Sequence, residues 1–369
     1  VGLIFAPADK STIKQRISIQ NPSFWFIVFF ILHILGIVYS EDKMFGLNDV
    51  SMKASMLAFP IYFLFAKGYS LNRFMNIFSY IGAVSVLICL VIMTYKLLIL
   101  NHNVLKSETE FSFFLHRGYQ AIYWCMGSLW CFYQWMQNKN KPLHLTLGFI
   151  LSIGTFFTFS KAGILCLLFG IAYVLFLLIF RYRMFRLAAI SFLFIISTLI
   201  IIHRVTPKPL ARFNVMISSL FYGNSDPHDS NNVRLTMWTT SIDLIEKNPW
   251  TGVGTGDVKY ALKRRNIELG NHQLAQKEFN SHNQFLNTGV ALGIPGLLVL
   301  FGVFVLCFYY VIRWRKSSWV HLLILGSIFF FMLTESGFER QAGIVFFTFL
   351  ICGLGSSGFI SQTISEDPS

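Results

Sequence analysis

Ten segments of this chain are apolar with few or no charges, most of them about 17 to 26 residues long. A helix needs about 20 such residues to cross a hydrocarbon layer of roughly 30 Å. In that layer each backbone N–H and C=O must be satisfied internally, which a continuous apolar segment achieves only as a helix. The segments are 23–39, 54–66, 74–99, 119–136, 143–159, 163–180, 187–203, 284–312, 319–334 and 342–360. The second is short for a crossing and contains Pro60. Only 13% of the 369 residues are charged, about half the share of a soluble domain. A soluble enzyme and a disordered chain are thereby excluded, and the expected fold class is an all-α polytopic membrane helix bundle.

The formal charge of +13 would suggest nucleic acid in a soluble protein, but here it first reports topology, and no nucleic-acid partner is expected. Alternate connections, 1–22, 67–73, 137–142, 181–186, 313–318 and 361–369, hold 13 Lys or Arg, against 6 in 40–53, 100–118, 160–162 and 335–341. Both ends are therefore expected on the cytoplasmic side. The long connection 204–283 falls on the outer side, where its ten Lys or Arg escape the rule because the loop is long. The expected division is 1–203 with about seven spans, 204–283 as a loop domain, 284–360 with about three spans, and a cytoplasmic tail over 361–369. The chain starts at Val1 without Met, and a preceding segment is expected. All six cysteines lie in apolar segments, so no disulfide framework or zinc spacing is available and packing roles are expected.

Within the long loop, 230–250 reads as an amphipathic helix capped by Ser230 or Asn232, with Val233, Met237, Ile242 and Ile245 on its apolar face and Asn248-Pro249 ending it. The turn TGVGTGD (251–257) follows, with Asp257 expected to cap a short helix over 258–265.

Charges beside spans are costly, about 2.5–3.5 kcal/mol at a helix centre, and so mark candidate sites. Lys161, in TFSKAG, either snorkels to the interface or faces a polar cavity, and Lys96 is expected to snorkel. Arg340, in ESGFERQAG, either pairs with Glu335 or Glu339 or binds an anion. His282 stands where the polar loop meets an apolar helix, and is either a capping residue or a base suited to neutral pH. His33, His144, His321 and His228 offer less. Arg212, Arg234 and Lys263–Arg265 share the expected outer compartment, and arginine is the bidentate partner of phosphate. A cationic cluster around a histidine there suits a lipid-linked diphosphate.

GLGSSG (353–358) has dinucleotide-motif spacing but lies in an apolar helix with no strand before it, and GVGTG (252–256) lacks the Lys-Ser/Thr of a phosphate loop. HExxH, CxxC and DxD are absent, so spacing proposes no metal site.

NPWTGVGTGD (248–257) followed by HNQFLNTGVALGIPGLL (282–298) resembles the signature region of the O-antigen ligase and polymerase superfamily. The many spans with one long outer loop before the histidine are also similar to that family. The resemblance implies a GT-C-like, metal-independent glycosyltransferase without cofactor, working at the periplasmic face of the bacterial inner membrane. Its donor would be a glycan on undecaprenyl diphosphate and its acceptor a hydroxyl of lipid A-core, both within reach of membrane lipids. By the same resemblance His282 would activate the acceptor, and Arg212 (LARFN) and Arg234 (NNVRLTMW) would hold the diphosphate. Lys161 stands in Ser160-Lys161-Ala162-Gly163 where many members have Arg, which keeps the charge and loses the bidentate fork. Arg340 is a further diphosphate candidate, and two helices are expected before Val1. A polymerase, with a second lipid-linked glycan as acceptor, and a protein O-oligosaccharyltransferase fit the same motifs. Transport is the alternative from another class, and calls for charges at mid-membrane, whereas the charges here cluster on one face.

Overall fold

The computed structural model describes residues 16–65, 70–99, 111–137, 142–181, 230–314 and 319–366, with a few scattered positions between 183 and 196. The described residues are helical with no strand, an all-α polytopic membrane protein. The helices are α1 (Pro22–Val38), α2 (Lys43–Met52), α3 (Ser55–Phe65), α4 (Leu71–Leu98), α5 (Arg117–Gln137), α6 (Pro142–Phe157) and α7 (Lys161–Phe176). After these come α8 (Ser230–Lys247), α9 (Val258–Glu268), α10 (His272–Lys277), α11 (Gln284–Trp314), α12 (Trp319–Thr334) and α13 (Gln341–Glu366). Nine of the ten expected spans coincide with helices, and most of the expected span 187–203 lies outside the described residues. α4, α7 with its π-helical extension, and α11 are each long and apolar enough to cross a membrane. At 11 residues α3 covers only about 16 Å. α2 and α10 are short helices that the apolar pattern does not announce, and α13 continues to Glu366 through the expected tail.

The chain divides into two compact units, Asn72–Asn232 and the remainder. In the first, α5 packs against α6 and α7. Glycines permit the close approach: a Cβ on Gly163 would stand 2.4 Å from that of Ala121, and one on Gly170 2.4 Å from Leu129 Cδ2. Polar side chains bond within the unit, Trp124 Nε1 to Ser85 Oγ (2.9 Å) and Trp130 Nε1 to Asn76 Oδ1 (2.7 Å), so they enter an apolar bundle satisfied. On α4, Ile77, Ile81, Val84, Ile88 and Val91 point outward at helical spacing, a face suited to lipid. The six cysteines are buried and unbridged, as packing roles require.

In the second unit α11 lies against α1, α12 and α13, and α3 packs on α1 and α13. Asn21 caps α1 by accepting the Ser23 amide (3.0 Å) ahead of Pro22, and Asp42 caps α2 by accepting that of Phe45 (2.9 Å). The loop helices form their own small core, with Met237, Leu244, Leu262 and Val290 buried against Val233, Ile245 and Phe279. Ile242, expected on that apolar face, is instead 45% exposed, and Leu244 takes the inward place. Asp257 precedes α9 without capping it, because its carboxylate accepts the amides of Glu41 (2.7 Å) and Asp42 (2.9 Å).

Candidate active site

The expected single span 284–312 is broken. Gly293, inside α11, has φ 65° and ψ −161°, and Pro295 follows. In an unbroken helix the Ile294 amide would bond to Val290 O, and residue 295 would donate to Ala291 O, which proline cannot do. The glycine-rich turn supplies each missing partner. Val253 donates to Val290 O (2.8 Å), Gly254 to Ala291 O (3.0 Å), and Ile294 donates to Pro249 O (2.7 Å). The same turn is laced to α1 and to the connection between α1 and α2: Thr255 Oγ1 donates to His33 O (2.8 Å) and the Gly256 amide to Ser40 Oγ (3.0 Å). Glycine is required by contact as well as by φ. A Cβ on Gly252 would meet Val290 O at 2.5 Å, and one on Gly293 would meet Pro249 O at 2.5 Å. The motif is therefore a staple across a helix break.

This staple fixes the start of α11, where His282 sits. His282 has φ 46°, a left-handed conformation that costs a non-glycine residue about 1–3 kcal/mol and persists only when its surroundings enforce it. The enforcement is visible on every side. Asn280 Oδ1 accepts the His282 amide (3.0 Å), Ser241 on α8 donates to Ser281 Oγ (2.8 Å), and Asn283 Oδ1 accepts the Leu286 amide (3.1 Å).

Opposite His282 is the loop between α12 and α13. Glu335 Oε2 lies 3.3 Å from His282 Nδ1, while Oε1 takes a short bond from Arg234 Nη2. Arg234 Nε donates to Thr334 O (3.2 Å) at the negative end of α12, so α8 and α12 are joined through one guanidinium. Gln284 Oε1 accepts the Phe338 amide (2.6 Å), and Phe338 is fully buried beside Phe26 and Phe29. Burial by itself would push the Glu335 carboxyl up, but the His282 and Arg234 contacts outweigh it and hold the group below the usual carboxylate range. An ionised Glu335 can only accept, so His282 Nδ1 is the donor in this contact, and in the neutral imidazole Nε2 then presents a lone pair.

The candidates have separate fates. His282 and Arg234 come together around Glu335. Arg340 is exposed and, among the described residues, is not paired with either nearby acid, because Glu335 is engaged by Arg234 and His282, and Glu339 by Lys53 (3.4 Å). Lys161 opens α7 in the other unit, half-buried, with Ser160 accepting the Gly163 amide (3.4 Å). Arg212 lies outside the described residues. Lys263, Arg264 and Arg265 are tied to Glu278, Glu268 and Asp243. From sequence, Glu335 reads only as a neutraliser of Arg340. An acid directly after an apolar span is the available signal for its larger part.

Helical spans with a histidine–carboxylate–arginine cluster at the edge of a broken span define the class, a polytopic helical membrane protein. Residues 146–301 match the family model described as O-antigen ligase, a segment that includes the staple, Arg234 and His282. Over those residues the chain is similar to the O-antigen ligase superfamily, whose members are membrane glycosyltransferase-like enzymes acting on glycan and lipid-linked substrates. No curated protein matches the sequence.

Proposed function

We propose that this protein transfers a glycan from undecaprenyl diphosphate to a lipid A-core hydroxyl, at the periplasmic face of the bacterial inner membrane. The carrying observation is the contact of Glu335 Oε2 with His282 Nδ1, which leaves Nε2 as a proton acceptor at the end of the matched segment. The acceptor hydroxyl gives its proton to His282 Nε2 as its oxygen bonds to the anomeric carbon. The bond from that carbon to the diphosphate oxygen breaks on the opposite face, and the electron pair leaves with the diphosphate. The configuration is thereby inverted.

A leaving diphosphate gains negative charge, which fixed cations stabilise most where water is excluded. Arg340 is available for this, and Arg234 has donors beyond those given to Glu335 and Thr334. Resemblance to the family motifs gives Arg212 and Lys161 a diphosphate-binding role as well. The reading includes a GT-C-like architecture, a metal-independent reaction, and residues 204–283 as a periplasmic loop domain between membrane parts 1–203 and 284–360, with 361–369 in the cytoplasm.

The test is the lipopolysaccharide banding of a deletion strain complemented with wild type or His282→Ala, with carrier-linked glycan extracted in parallel. The reading predicts that His282→Ala loses the ladder while long chains accumulate on the carrier. Single-repeat caps would reassign the protein as a polymerase, and a normal ladder would overturn the proposal.

A further inference from the structure

A second charged group lies beside the site and is used by nothing described so far. Lys53, directly after α2, is 1% exposed, an unusual place for an ammonium. Its Nζ bonds both oxygens of Asp49 one turn earlier (2.5 and 2.7 Å), which anchors it to α2. It also reaches Glu339 Oε1 at 3.4 Å, in the loop that carries Glu335 four residues earlier. Glu339 is partly open, with 22% of its side chain exposed, whereas both partners at the α2 end are buried. A surface pair of this kind would be worth little, but a buried ammonium left without its partners is costly, which ties Lys53 to the carboxylates around it.

The loop over 335–340 is therefore held at three points. The first is the pairing of Glu335 with Arg234 and His282, the second is Phe338 with its amide on Gln284, and the third is Glu339 on Lys53. The first point is the one that chemistry would disturb, because His282 becomes cationic when it accepts a proton and draws on Glu335. The third lies outside the reacting groups and fixes the loop from the far side.

We infer that Asp49, Lys53 and Glu339 form a positioning latch, in which α2 holds the 335–340 loop so that Glu335 stays in register with His282 through the transfer. The inference rests on the proposed reaction for its kinetic consequence and on the structure alone for its mechanical one. Misplacement of a catalytic group by about 1 Å can cost on the order of 10²-fold in rate, so a loosened latch acts on turnover more than on binding.

The experiment uses the full chain in lipid nanodiscs, as wild type, Glu339→Gln, Asp49→Asn/Lys53→Met, and the triple variant. The double substitution removes the two buried charges together and leaves only Glu339, whose side chain is 22% open to solvent, and the triple variant removes that charge as well. Two readouts are taken, transfer kinetics and amide hydrogen exchange. Expected are a fall in kcat of about 10-fold or more with KM within about 2-fold, faster exchange confined to residues 335–340, and a triple variant no slower than the double. Unchanged exchange in that loop, or rate losses that multiply in the triple variant, would overturn the latch. If wild type shows no transfer, or His282→Ala transfers normally, the proposed reaction fails. The exchange measurement still decides the latch in that case.

Discussion

At His282 the imidazole needs a partner on Nδ1 to leave Nε2 basic, and Glu335 is that partner. Glu335→Gln should therefore cost more than a lost charge. The amide can donate to Nδ1, which moves the ring proton to Nε2 and removes the base. A general base contributes about 10²–10⁴-fold, so kcat should fall within that range while the KM for donor changes little. A kcat within 2-fold of wild type (about 0.4 kcal/mol) would show that the contact is not orienting. The two carboxylates Glu335 and Asp49 also predict opposite responses to pH. Glu335 is held below its ordinary 4.5, so its stabilisation is complete above that value and is lost as pH falls through the lowered one. Glu335→Gln should flatten the acid limb of a thermal-stability profile. Asp49 is pushed up to about 6, first by burial and then by Glu339, with Lys53 opposing. Its contribution is complete below 3.8 and lost as pH rises through about 6, so Asp49→Asn should gain relative to wild type across that window.

The broken helix is the element that converts a sequence motif into a site. Its breaker, Gly293-Ile294-Pro295-Gly296, is plain in the sequence, yet the segment 284–312 reads as one span because apolar continuity outweighs two small residues. The refilling of Val290 O and Ala291 O by Val253 and Gly254 depends on a turn some 40 residues away, and no local pattern announces that pairing. Asp257 departs from its expected part for the same reason: its position favours capping α9, but the amides at 41 and 42 claim its oxygens. Gly293→Ala combines a forbidden φ with backbone overlap and should cost about 3 kcal/mol or more, with loss of folded protein in a detergent melting assay. Gly302 and Gly326 have open space where a methyl group would point, so alanine there should be neutral or stabilise by less than about 1 kcal/mol. Equal behaviour of the two sets would contradict the staple.

For the whole molecule, composition and span length are enough to place the chain among polytopic helical membrane proteins, since few other folds bury so much apolar sequence. Span positions are legible to within a few residues at most helix ends because charge and proline interrupt them cleanly. The site is legible only in part: His282 and Arg234 stand out beside apolar runs, but Glu335 and Lys53 acquire meaning only through partners 53 and 286 residues distant. Topology is testable on the same scale. The single substitutions Lys43→Cys and Lys259→Cys should label from the periplasm, and Arg73→Cys and Arg313→Cys only after the membrane is opened, against a background in which the six native cysteines are buried. The role of His282 is tested most directly by glycan transfer by the purified full chain, wild type against His282→Ala, with donor binding measured alongside. With His282 as the base, its loss lowers transfer by about 10²-fold or more while donor binding persists. Near-normal transfer by His282→Ala would contradict that role.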